Sequence, residues 1–189
     1  MRFLNALVLL SMLGNAPVAA GCHDSAGNLL AASNCGFDKD AKGWTAVPSA
    51  SLSQDPADQG VLKAVADSGG SLTVLGPCVA AQAKTRYRIG ARLRSTAGTS
   101  YFCSVNVFQY SDGRCTEGEE PLGSAAGPPG ADWAALDSSA TTSDAARSIQ
   151  LRPACSGEPG FTVDLSWPAC AVSANTSMQR SSRPAPRCR

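Results

Sequence analysis

The stretch Thr85–Arg94, TRYRIGARLR, restricts the fold more than any other part of the chain. Tyr87, Ile89, Ala91 and Leu93 alternate with Arg86, Arg88, Gly90, Arg92 and Arg94. A period of two puts the apolar side chains on one face of an extended strand and the cations on the other. In a helix the same residues would scatter around the axis. The strand therefore needs a second layer to cover its apolar face and solvent on the other.

Other stretches repeat the pattern. In YFCSVNVFQY, Tyr101, Cys103, Val105, Val107 and Gln109 oppose Phe102, Ser104, Asn106, Phe108 and Tyr110. RSIQLRP turns Ile149 and Leu151 inward, and GFTVDLSW turns Phe161, Val163, Leu165 and Trp167 inward. VLKAVA and SLTVLGPCVA are shorter strand candidates. Turn chemistry separates the runs: DSGG, STAGT, SDGR, GPPGAD and SGEPG. No amphipathic helix and no internal repeat is visible. The chain reads as all-β, an antiparallel β-sandwich in one domain. Glu117–Asp132 reads as a long surface excursion.

Arg2, the apolar FLNALVLLSML and the small residues of APVAAG form an export signal over residues 1–20. The apolar run is too short for a membrane span, and no later segment is long enough. The domain is then 21–173, and 174–189 (four arginines among Ser and Pro) a flexible basic tail. Eight cysteines in an exported chain read as disulfides, which makes the domain disulfide-stapled. A zinc site is disfavoured, because there is no C-x-x-C and His23 is the one histidine. VAAGC also resembles a lipoprotein signal with Cys22 as a lipid anchor; an even cysteine count favours plain secretion. Secreted, periplasmic and cell-surface locations all stay open. With 16 basic and 15 acidic residues the chain lacks the charge footprint of a nucleic-acid partner.

Spacing suggests Cys103–Cys115 across a turn at SDG, and Cys155–Cys170 across a hairpin. Cys35–Cys78 and Cys22–Cys188 follow by elimination, as one choice among the 105 that eight cysteines allow.

NLLAASNCGFDKDAKGW supplies Asn28, Leu29, Asn34, Gly36, Phe37, Asp38, Gly43 and Trp44 in an order that resembles the opening of carbohydrate-binding modules of families 4 and 9. PCVAAQAKTRYRIGARLR, ADWAAL and FTVDLSW resemble later marks of those domains, so the likeness runs from Asn28 to Val172. The family acid is often Glu where this chain has Asp38, and the cysteines are mostly extra. The resemblance implies a jelly roll of the galactose-binding type that binds polysaccharide without catalysis, beside separate glycoside hydrolases. It also implies a structural calcium held by Asp38 and Asp164, with Asp40 as a weaker candidate. Carboxylates and backbone carbonyls are the ligands calcium takes.

Sugars stack on aromatic rings and bond to planar polar groups. The outward residues Phe102, Asn106, Phe108 and Tyr110 are one source of both. Arg88 and Arg92, from an expected neighbouring strand, and Gln150, from a third, complete the expected site. The competing reading buries Phe102 and Phe108 under the Glu117–Asp132 excursion. Trp44, Trp133 and Trp167 are expected in the core. No G-x-S-x-G, H-E-x-x-H or P-loop is present. The Glu117–Glu120 acid cluster reads as solvated. Two other readings remain open: an exported structural or adhesion domain that binds protein or no sugar, and a small hydrolase with two acids in a cleft. A monomer is expected.

Overall fold

The computed structural model describes residues 28–30, 35–37, 40–47, 50–54, 60–167 and 172–174. Among these lie twelve strands and no helix. In chain order they are β1 (Thr45–Val47), β2 (Ser51–Gln54), β3 (Leu62–Val65), β4 (Ser71–Leu75), β5 (Cys78–Ala80), β6 (Arg86–Ala97), β7 (Ser100–Tyr110), β8 (Glu120–Gly127), β9 (Ala134–Thr141), β10 (Ser148–Gly157), β11 (Thr162–Ser166) and β12 (Val172–Ala174). They form two antiparallel sheets. The first has the order β1-β4-β10-β7-β8, with β5 beside β10. The second has the order β12-β6-β11-β3-β2, with β9 beside β6. From β3 onward the chain keeps crossing between layers, as in a jelly roll.

The inward faces are those the alternation predicts, except at the start of β7, where Tyr101 is 60% exposed. Tyr87, Ile89, Ala91, Leu93, Val163 and Leu165 from the second sheet meet Cys103, Val105, Val107, Ile149 and Leu151 from the first, all essentially inaccessible to solvent. Each fully buried large side chain contributes about 1.5–3 kcal/mol. At one corner Phe37, Trp44 and Trp167 pack ring on ring. Phe37 meets Trp44 edge-on at 5.4 Å, and Trp44 stacks on Trp167 at 5.0 Å. Both indole N–H groups are buried without a hydrogen-bond partner, so ring packing rather than polar contact holds this corner.

The strands joined by STAGT and by SGEPG are not neighbours within a sheet. β6 lies in the second sheet and β7 in the first; β10 lies in the first and β11 in the second. Both connections are arches between the layers. At the first arch Gly98 has φ +64, and a Cβ there would meet Phe161 Cα at 3.1 Å. Only glycine takes both that backbone and that close approach without strain.

The arches overturn the expected cysteine pairs. Cys103 pairs with Cys155, directly opposite it on the β7–β10 ladder, with Cα atoms 4.1 Å apart. Cys78 pairs with Cys115. Cys115 cannot return to Cys103, because β7 carries the chain about 23 Å away over seven residues. Cys155 lies on an inward position of the first sheet, and Cys78 is already taken, so the Cys155–Cys170 and Cys35–Cys78 pairings fall as well. Cys35 is buried and disulfide-bonded, and its partner lies outside the described residues. So do Cys22, Cys170 and Cys188, the signal at 1–20 and the tail from 175.

Cys115 (φ +57) sits in a loop organised by one carboxylate. Asp112 accepts from the backbone N–H groups of Arg114, Thr116 and Glu117 at 3.0–3.3 Å and from the Thr116 hydroxyl at 2.7 Å. The Thr116 hydroxyl, with these backbone donors, lowers the Asp112 pKa from 3.8 to about 2.

Two outcomes follow. Replacing Cys103 and Cys155 together by Ala removes a cross-link that spans 52 residues. Denaturant unfolding should show a loss of roughly 2–5 kcal/mol, against a chain-entropy value of about 4. Asp112 has a depressed folded pKa, so its contribution is complete above 3.8 and is lost as the pH falls toward 2. A carboxyl NMR titration of Asp112 should have its midpoint near 2, and Thr116→Ala should raise it.

Candidate functional site

The outer face of the first sheet is built on the β7–β10 ladder. Outward residues of the two strands lie opposite one another: Phe102 and Ser156, Ser104 and Ala154, Asn106 and Arg152, Phe108 and Gln150. On the far side of β7, Ser124 and Ala126 of β8 face Asn106 and Ser104. On the far side of β10, Thr73 of β4 faces Ala154. Small residues therefore floor the middle of the face, and large ones stand at its ends. Phe102 at one end is 49% exposed. It lies six residues from Phe108, about 20 Å along the strand.

At the other end stands a polar cluster. Arg152 packs its guanidinium over the Phe108 ring at 4.3 Å. It donates to Glu119 Oε1 at 2.9 Å and Oε2 at 2.6 Å, to Gln150 Oε1 at 3.2 Å, and to the Tyr110 hydroxyl. That hydroxyl in turn donates to Glu119 Oε2 at 3.0 Å. Gln150 is anchored by its amide nitrogen on the Gly76 carbonyl at 2.9 Å. The Asn106 amide nitrogen donates to Ser104 Oγ at 3.0 Å and to the Arg152 carbonyl at 3.4 Å. A bidentate guanidinium–carboxylate pair is rigid as well as attractive. The Arg152 hydrogen bonds hold Glu119 below the usual carboxylate range, and Glu119 raises Arg152. Burial, followed by the bond to Glu119, pushes Tyr110 up.

The expected site is split by the sandwich. Phe102, Asn106, Phe108 and Gln150 share this face. Tyr110 points the same way but is 1% exposed, so its ring is not a stacking surface and its hydroxyl instead orients Arg152. Arg88 and Arg92 lie on β6, on the outer face of the opposite sheet. Arg88 is there bonded to Asp137 of β9. Alternation set which side of each strand is outward; it carried no information about which sheet each strand joins.

Glu117–Asp132 does not cover Phe102, which is 49% exposed; Phe108 is half-buried beneath Arg152, which Glu119 of that segment holds. Half of the segment is β8, an edge strand that extends the sheet beside β7. Its poor strand composition, Pro121 and two glycines in EPLGSAAG, hid it. Glu119 is not merely solvated but paired with Arg152. Trp133 is not core. It lies partly exposed on the outer face of the second sheet, beneath Arg92 and Arg94.

Asp164 does not fit the calcium role. It is fully buried, Arg94 donates to its Oδ2 at 2.8 and 2.9 Å, and Thr96 Oγ1 approaches Oδ1 at 3.5 Å. A guanidinium already neutralises the carboxylate that a metal ion would need. Asp38 lies outside the described residues. Among the described residues no three His, Cys, Asp or Glu side chains gather as a metal site, and no helix is long and apolar enough to cross a membrane.

No protein-family model matches the sequence, and no curated protein matches it. Solved structures do share the fold. A family 4 carbohydrate-binding module has a TM-score of 0.52 at 14% identity, covering 75% of this chain and 98% of its own. A family 61 module in complex with β-1,4-galactotriose has 0.53 at 14%, covering 75% and 94%. A family 16 module has 0.54 at 17%, covering 75% and 96%. At these identities the likeness is one of fold: the chain is an antiparallel β-sandwich shaped like carbohydrate-binding modules.

Proposed function

We propose that this protein is an exported, non-catalytic polysaccharide-binding domain whose glycan lies along the outer face of the first sheet. The observation that carries the reading is the form of that face. An exposed ring at Phe102 and a pre-ordered Arg152–Glu119–Gln150 cluster over Phe108 stand at the two ends of a face about 20 Å long, with Ser104, Ala154, Ser124 and Ala126 between them. That length suits a run of linked sugars rather than one terminal unit. Phe102 stacks on the apolar side of a ring, while Asn106, Gln150 and the remaining Nη1–H of Arg152 bond to hydroxyls. The hydrogen bonds within the cluster fix its side chains before ligand arrives, which reduces the entropy lost on binding. The β-1,4-galactotriose bound by the family 61 module supports an oligosaccharide ligand of linear type.

A non-catalytic role is supported by the state of Glu119. Glycoside hydrolysis needs a carboxyl group kept protonated to act as acid. Arg152 keeps Glu119 ionised. Export, to the cell surface or beyond, is supported by the disulfides Cys78–Cys115 and Cys103–Cys155.

The test is titration against neutral polysaccharides, galactans and glucans first, by calorimetry and affinity electrophoresis. Phe102→Ala should weaken binding about ten-fold, near 1.4 kcal/mol, with unfolding stability unchanged. Arg152→Ala should cost binding and stability together, since it leaves the Glu119 carboxylate without its guanidinium. Binding should be level at neutral and mildly acidic pH. It should fall only as the pH drops through the lowered pKa of Glu119, below the ordinary value of about 4.3. Absence of binding to every neutral glycan tried would refute the reading. The exposed Phe102 (49%) would then favour a protein ligand at that end.

A further inference from the structure

The opposite side of the sandwich carries a different surface. Every outward position of β6 from 86 to 94, apart from Gly90, is an arginine. Two of the four are committed to carboxylates. Arg88 donates to both oxygens of Asp137, and Arg94 binds the buried Asp164. Among the described residues the other two have no acidic partner. Arg86 donates only to the Ser139 hydroxyl, at 2.7 and 3.2 Å. Arg92 lies against the Trp133 ring, 5.2 Å from its centroid. Both are exposed. A depression of about 410 Å³ opens beside Arg86, lined by Arg88, Asp137, Ser138 and Ser139.

The chain as a whole is nearly neutral, at +1, so this concentration of cations is local. Arg86 and Arg92 are six residues apart, about 20 Å along the strand. One small anion reaches one of them; a chain with repeated negative charge reaches both. Guanidinium groups bond to planar carboxylates through two parallel N–H donors. Two arginines lie against Trp133, at 4.6 and 5.2 Å, which leaves its ring poorly placed to stack on a nucleic-acid base. The Ser139 hydroxyl beside Arg86 suits a hydroxyl-rich polymer.

We propose that this face is a second, independent binding surface for an acidic, carboxylate-bearing polysaccharide. Arg86 and Arg92 are its anion-binding groups, and Arg88–Asp137 is a strut that holds Arg88 out of the ligand's way. The choice of a glycan among polyanions rests on the reading of the first face; the anion-binding geometry does not.

The experiment uses the full chain and polygalacturonate as probe, in affinity electrophoresis and calorimetry at low salt. Retardation is expected. The double variant Arg86→Gln/Arg92→Gln should weaken it at least about ten-fold. Raising NaCl to about 0.5 M, where screening acts over roughly 4 Å, should abolish it. Phe102→Ala should leave it unchanged, and the double variant should leave neutral-glycan binding unchanged. Circular dichroism of the double variant should match the parent, and Arg86→Lys/Arg92→Lys should restore part of the retardation. No retardation of the parent at low salt, or equal retardation of the double Gln variant, overturns the proposal. Equal affinity for single-stranded DNA or for anionic vesicles overturns the assignment to a glycan. Loss of neutral-glycan binding alone, with polygalacturonate binding intact, refutes the first face and leaves this one standing.

Discussion

The ladder between β7 and β10 is the constraint on which the rest depends. It runs without a break from Ser148 opposite Tyr110 to Ser156 opposite Phe102. Its inner side supplies Cys103, Val105, Val107, Ile149 and Leu151 to the core. Its outer side sets the spacing of Phe102, Asn106, Phe108, Gln150 and Arg152. One slip of a residue would exchange the two sides, exposing the core set and burying an arginine. The Cys103–Cys155 bridge joins two residues that the ladder already pairs, so it locks the register rather than creating it.

Electrostatics on the two outer faces serve different ends. On the first sheet a single bidentate pair, Arg152–Glu119, is tied into a network with Tyr110 and Gln150, and the network holds planar polar groups still. Exposed ion pairs stabilise a fold by little. The value of this one lies in orientation. On β6, Arg88 and Arg94 are paired with Asp137 and Asp164, and among the described residues Arg86 and Arg92 are not paired with a carboxylate. Asp164 is a buried charge that Arg94 neutralises; removing Arg94 would leave it buried without its cation.

Much of the fold is legible in the residues. Alternation in Tyr87–Leu93, Cys103–Gln109 and Phe161–Trp167 predicts which side chains form the core, and the buried sets agree with it. The stacked Phe37, Trp44 and Trp167 are where the apolar pattern and the family likeness put them. β8 was not legible, because Pro, Gly and Ala carry no period-two signal of their own and take the strand conformation only because β7 offers unpaired backbone groups. Glu119 was hidden for the same reason. Tyr110 alternates outward and is still buried, because the Arg152–Glu119 cluster closes over it.

The amino-acid order by itself determined the all-β architecture, the inward faces and the use of cysteine as a staple. Those properties are local: side-chain direction follows from backbone period, and pairing capacity from composition. Tertiary structure alone decided which strands share a sheet, which cysteines meet, and that Arg88 and Arg92 lie on the face opposite Phe102. An arch and a hairpin satisfy the same alternation. Choosing between them depends on how two whole layers close over one core, and no single stretch of the chain carries that information.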